Sequence, residues 1–120
     1  MDSFPFEIDY YETDAGKRPF KEWLEGMKDV YGRAKIRIRL DRARLGNLGD
    51  HKHIGAGMWE FRIDYGPGYR VYYGKEGNRL LLLLIGGDKS TQSRDIEQAQ
   101  GYWQDHLGRK GHGISDKLPG

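Results

Sequence analysis

Residues 57–73 read GMWEFRIDYGPGYRVYY. Trp59, Phe61 and Ile63 alternate with Glu60, Arg62 and Asp64. That two-residue period marks a strand with one buried face. Gly66-Pro67-Gly68 is a turn signal. Tyr69, Val71 and Tyr73 then alternate with Arg70 and Tyr72, so the chain returns as a second strand. This hairpin decides the fold class, because the remaining elements must pack around an antiparallel pair.

Downstream, Leu80 to Ile85 is an unbroken apolar run, suited to a central strand buried on both faces. It ends at Gly86 and Gly87. Ser90 or Thr91 can cap a helix whose apolar stripe is Ile96, Ala99, Trp103 and Leu107. Gly108 is expected to close that helix, and residues 109–120 read as a mobile tail. Upstream, residues 46–57 read as a Gly/Asn/His loop. Residues 30–45 fit two templates. Ala34, Ile36, Ile38 and Leu40 alternate as in a strand. As a helix, Val30, Ala34, Ile38 and Leu45 share one side, and Ile36, Leu40 and Ala43 another. Helix is preferred: the segment is long, good helix formers dominate it, and Gly46-Asn47 supplies a stop. Phe20, Trp23, Leu24 and Met27 mark a short helix begun at Pro19. Phe4, Phe6, Ile8 and Tyr10 alternate as a first strand. The expected order is β-α-α-β-β-β-α: one α+β domain over residues 1–108, a small antiparallel-rich sheet with helices packed on it.

The chain has 120 residues, enough for one core without staples. It has no cysteine, which excludes disulfides, thiolate metal sites and thiol chemistry and fits a reducing cytoplasm. No apolar run approaches the roughly 20 residues of a membrane span, and no signal-peptide pattern opens the chain. The formal charge of +2 hides an uneven distribution. Residues 1–30 carry four basic and eight acidic side chains, whereas residues 31–53 carry seven basic and two acidic. Arg37 and Arg44 in that basic stretch are candidates for phosphate contact, and an acidic protein partner could use them equally well.

His51-x-His53 lacks a third ligand nearby, so no metal site is expected. The glycine pairs lack the rest of any nucleotide-loop pattern, so no cofactor is expected. The chemistry gathers instead on one strand pair. Glu60 and Arg62 share a face, and Arg70 joins them if the register permits. Lys89 follows the central strand, and Lys52 and His53 precede the hairpin. Together they would form a cationic pocket with a carboxylate and an imidazole.

These motifs carry a resemblance. Residues 57–73, residues 82–92 (LLLIGGDKSTQ) with Asp95, Ile96 and Ala99, and residues 18–24 (RPFKEWL) resemble the HigB-like branch of the RelE/ParE toxin superfamily, the phage-derived addiction module killer group. The likeness covers about residues 4–107 in order. It implies two N-terminal helices, a small sheet and a C-terminal helix, which favours the helix over 30–45. It implies a cytoplasmic type II toxin that cleaves mRNA, usually on the ribosome, and is neutralised by a helix-turn-helix antitoxin. Arg70 matches the family's phosphate-stabilising arginine, and Lys89 matches a basic residue after the last strand. Glu60 and Arg62 stand where RelE-type enzymes typically carry lysines, so Glu60 departs from the pattern. A tyrosine or histidine that some relatives carry near the start of the last helix is missing. The implied mechanism is metal-free attack of the 2′-hydroxyl on the adjacent phosphorus. Arg62, Arg70 and Lys89 would stabilise charge, and Glu60 or His53 would act as base. Arg37, Arg44 and Lys52 would bind RNA. A ParE-like gyrase inhibitor and a non-catalytic antitoxin-binding member are the alternative readings.

Overall fold

The computed structural model describes residues 5–116. Its elements run β1 (Glu7–Tyr10), α1 (Pro19–Glu25), α2 (Val30–Arg44), β2 (His51–Gly55), β3 (Met58–Ile63), β4 (Tyr69–Glu76), β5 (Leu80–Asp88), a 3-10 turn (Lys89–Thr91) and α3 (Gln92–Asp116). The five strands form one sheet in the order β1-β5-β4-β3-β2. β1 runs parallel to β5, and the other pairs are antiparallel. The fold is therefore α+β with a mixed sheet. Phe4 of the expected first strand lies outside the described residues.

β5 is an interior strand between β1 and β4, buried on both faces as its composition predicts, and it runs through Gly86 and Gly87, its expected end, to Asp88. Leu81 and Leu83 face α1 and α2 together with Phe20, Leu24, Ile36, Leu40 and Phe61. Leu82 and Leu84 face α3 with Met58, Tyr72, Ala99 and Trp103. Fully burying one such large apolar side chain contributes about 1.5–3 kcal/mol. Gly86 and Gly87 are packing glycines. A Cβ on Gly86 would lie 2.2 Å from the Trp23 ring, on the α1 side. A Cβ on Gly87 would lie 1.8 Å from the Asp95 carboxylate, on the α3 side.

Two expectations need correction. Residues 51–55 of the expected loop form edge strand β2. Polar composition hides it, because only Ile54 is an aliphatic β-former there. Pairing with β3 orders it, and the rings of His51 and His53 lie 5.2 and 4.8 Å from Trp59. The turn to β3 is left-handed throughout, with φ of 104° at Gly55, 53° at Ala56 and 83° at Gly57. The Trp103 indole N–H holds it by donating to the Ala56 carbonyl at 2.7 Å. The second correction concerns α3, which passes Gly108 and continues to Asp116. Arg109 anchors this stretch, donating to Asp105 and to the Glu12 carbonyl at 2.7 Å each. The remainder of the expected tail, residues 117–120, lies outside the described residues.

α2 is a helix, as preferred. Asp29 caps it, accepting from the Gly32 N–H at 2.9 Å and from the Tyr69 hydroxyl at 2.6 Å. Its buried face is Gly32, Ile36, Leu40 and Ala43, and the other apolar side points outward. Arg39 is structural. It donates to the carbonyls of Leu48, Asp50 and Arg62 and lies 5.3 Å over the Phe61 ring. Burial lowers its pKa from the ordinary arginine value. No helix among the described residues is long and apolar enough to cross a membrane.

Candidate functional site

The β3–β4 register pairs Glu60 with Tyr72 and Arg62 with Arg70. Arg70 in turn pairs with Gly87 of β5. Residues directly opposite share a face, so Glu60, Arg62, Arg70 and Tyr72 all lie on the α3 side of the sheet. Lys52 of β2 pairs with Glu60 and joins that face.

Glu60 is the anchor of the site. It is 0% exposed, yet both carboxylate oxygens have partners. Arg62 Nε donates to Oε2 at 2.9 Å, and Gln92 Nε2 donates to Oε1 at 3.1 Å. A buried carboxylate is costly unless paired and hydrogen-bonded, and here both conditions hold. Arg62 itself stays partly exposed. Glu60 therefore acts through Arg62: it fixes that guanidinium and leaves the remaining N–H groups free to point outward.

Arg62 and Arg70 are two like charges directly opposite one another, an arrangement that is destabilising by itself. Lys89 adds a third cation. A Cβ built on Gly68 would lie 3.4 Å from Lys89 Cβ and 3.6 Å from Arg70 Nη1, so both side chains converge over the Gly66-Pro67-Gly68 turn. Arg70 Nη1 donates weakly to the Gly68 and Tyr69 carbonyls at 3.3 and 3.4 Å, and its Nε is buried without a partner. Two converging cations, with Arg62 on the same face across the strand pair, suit an anion with several oxygens, such as a phosphate.

Beneath these cations lies a second polar layer. Asp95 packs against Gly87 and accepts from the Thr91 hydroxyl. The Tyr72 hydroxyl is buried without a partner. Burial, and then the nearby Glu60 and Asp95 carboxylates, push its phenol far above the usual range. Asp88 caps the 3-10 turn that carries Lys89, accepting from Ser90 N at 2.8 Å. The Ser90 hydrogen bonds hold the Asp88 carboxyl below its ordinary pKa.

The structure thus brings together Lys52, Glu60, Arg62, Arg70 and Lys89. It separates the other three candidates. His53 pairs with Trp59 and lies on the α2 side of the sheet, because one residue's shift along a strand reverses the face. Arg37 and Arg44 belong to α2, also on that side, so they do not extend the pocket. Glu60 remains in the site, but its burial and its two bonds remove it from the role of base. Gln92 and Asp95 were missed. Their positions in the first turns of α3 gave no sign of which strand residue they would meet. Tyr72 was legible, since it alternates in phase with Arg70. Among the described residues, no group of three or more His, Asp or Glu is placed to hold a metal ion.

No family model matches the chain. A protein of Haemophilus influenzae (strain ATCC 51907 / DSM 11121 / KW20 / Rd), described only as an uncharacterized protein, is 48% identical over 81 residues. The match covers 68% of this chain and 82% of that protein.

Proposed function

The chain belongs to the same family as that Haemophilus influenzae protein, and we propose that it is the toxin of a type II toxin–antitoxin system, a metal-free endoribonuclease with a RelE-like fold. The resemblance of its hairpin and β5 motifs to HigB-like toxins supports this reading. The observation that carries it is the cross-strand pair Arg62–Arg70 beside Lys89, a cationic group set over the buried Glu60 and Asp95 carboxylates.

In the proposed reaction the 2′-hydroxyl attacks the adjacent phosphorus. The 5′-oxygen leaves, and a 2′,3′-cyclic phosphate remains. Arg62, Arg70 and Lys89 stabilise the charge that develops on the phosphoryl oxygens. Glu60 is a positioning residue that holds Arg62. With Glu60 buried and His53 on the opposite face, protons pass to and from water, and catalysis rests on electrostatics. The proposed setting is the cytoplasm, on ribosome-bound mRNA, with a helix-turn-helix antitoxin as partner.

The test is a translating extract with a reporter mRNA and primer extension. New 5′ ends are expected with the wild-type chain, and about a hundredfold fewer with Arg70→Ala. Absence of new ends with folded wild-type protein overturns the reading. A second reading, a non-catalytic binder of a phosphate-bearing partner, is favoured by the loss of both expected bases, Glu60 through burial and His53 through its place on the opposite face. It predicts RNA binding without new ends.

A further inference from the structure

α2 carries a second apolar face with nothing over it. Val30, Tyr31, Ile38 and Leu45 are 59%, 75%, 50% and 61% exposed. These are four of the five large hydrophobic side chains exposed among the described residues. At 3.6 residues per turn they fall, with the exposed Ala34, inside an arc of roughly 100°. Such a stripe is wide enough to bury a partner helix. Basic residues border it on both margins, Lys35 and Arg42 on one and Arg37 and Arg44 on the other. Beside the first margin, a groove of about 270 Å³ continues the surface between α2 and the end of β3, lined by Lys35, Ile38, Arg42, Ile63, Asp64 and Tyr65, so its cations outnumber its one carboxylate. Beside the second, a cleft of about 220 Å³ is lined by Lys21, Arg37 and Arg44 against Glu25 and Asp41, with Leu40 at its base.

We propose that the outer face of α2 docks an amphipathic helix of a partner protein, with acidic residues on both margins of its apolar stripe. The charge pattern selects this occupant. A second copy of the chain would set one basic border against another. A lipid surface would press Asp41, which lies toward the Arg37–Arg44 edge of the stripe and 3.9 Å from Arg44, into an apolar layer. A partner helix leaves Asp41 at the wet edge of the contact. α2 has 15 residues, so the seat is roughly 22 Å long. This surface would serve the partner expected under the proposed function, and it rests on that reading for there being one. It lies across the sheet from Arg62, Arg70 and Lys89, so a failure here leaves RNA cleavage untouched, and a failure of cleavage leaves the docking measurement standing.

The probe is a synthetic helix of about 18 residues with leucines at i, i+3, i+4 and i+7 and glutamates on both margins. A version with lysine for each glutamate and anionic phosphatidylserine vesicles serve as the other arms. Binding to the whole chain is read by fluorescence anisotropy, with circular dichroism to show that each variant is folded. The glutamate helix is expected to bind. Ile38→Ser, and separately Arg37→Glu with Arg42→Glu, should each weaken it by about tenfold or more. The lysine helix should not bind. No binding of the glutamate helix, equal binding of both helices, loss-free variants, vesicle binding alone, or self-association alone would each overturn the proposal.

Discussion

On the face covered by α1 and α2, Phe61, Tyr73, Leu81, Leu83, Ile36 and Leu40 form an apolar layer, with the Phe61 and Tyr73 rings stacked at 4.3 Å. On the face covered by α3, the same sheet buries Glu60 together with Asp95 of α3, and the Tyr72 hydroxyl and Arg70 Nε are left without partners. Strands β3 and β4 supply both layers, because alternate residues point opposite ways. The contrast separates two tasks. The first face holds the molecule together. The second gives up apolar contact to hold Glu60, Arg62 and Arg70 side by side, the arrangement on which the proposed phosphodiester site rests.

The largest expected effect lies on the first face. Phe61→Ala removes a fully buried ring and should cost about 3–5 kcal/mol in urea unfolding. A cost below about 1 kcal/mol would break the contrast. On the second face, Glu60→Ala should cost less, about 1–3 kcal/mol, since Arg62 can turn to solvent while Gln92 loses its acceptor. Its larger consequence should be functional: a mobile Arg62 and weaker RNA binding. Arg70→Ala should leave the unfolding midpoint nearly in place. It should weaken binding of a non-cleavable 2′-deoxy oligonucleotide and reduce the slope of log K against log salt by about one.

The smallest expected effect concerns both faces equally. Each is fastened by a tyrosine–aspartate bond, Tyr69 to Asp29 at 2.6 Å on the α2 side and Tyr11 to Asp105 at 2.5 Å on the α3 side. Burial, and then the aspartate partner, raises each phenol to about 12. The unfolded chain releases those protons near 10. Their contribution is thus full below pH 10 and is lost as pH rises toward about 12. The same bonds hold Asp29 and Asp105 below the ordinary carboxyl value, so their contribution is lost as acid titrates through that lowered range. Tyr69→Phe and Tyr11→Phe should each flatten the alkaline limb of the stability curve. An unchanged limb in both variants would remove these bonds from the account.

Where periodicity is strong, sequence predicts the element. The 58–73 hairpin, the β5 leucines and the α1 stripe all stand where their spacing puts them. β2 escaped because its order comes from backbone pairing and from rings tilted against Trp59, neither of which has a local pattern. α2 was legible as a helix but not in its orientation, since both of its sides are apolar and only packing decides which one is covered. The candidate site divides the same way. Glu60, Arg62 and Arg70 follow from alternation plus register, whereas His53 failed on a single step of parity. Gln92 and Asp95 reach the site through the docking of α3, which no spacing within the chain encodes. Gly86 and Gly87, read as a strand end, admit Trp23 and Asp95 from opposite layers.

The central claim is that the polar face of the sheet, and not the apolar one, performs the chemistry. The most direct measurement is primer extension on a reporter mRNA in a translating extract with wild type and Arg70→Ala, each shown to be folded. The account predicts defined new 5′ ends with wild type and about a hundredfold fewer with Arg70→Ala. No new ends with wild type, or equal cleavage by both proteins, would contradict it.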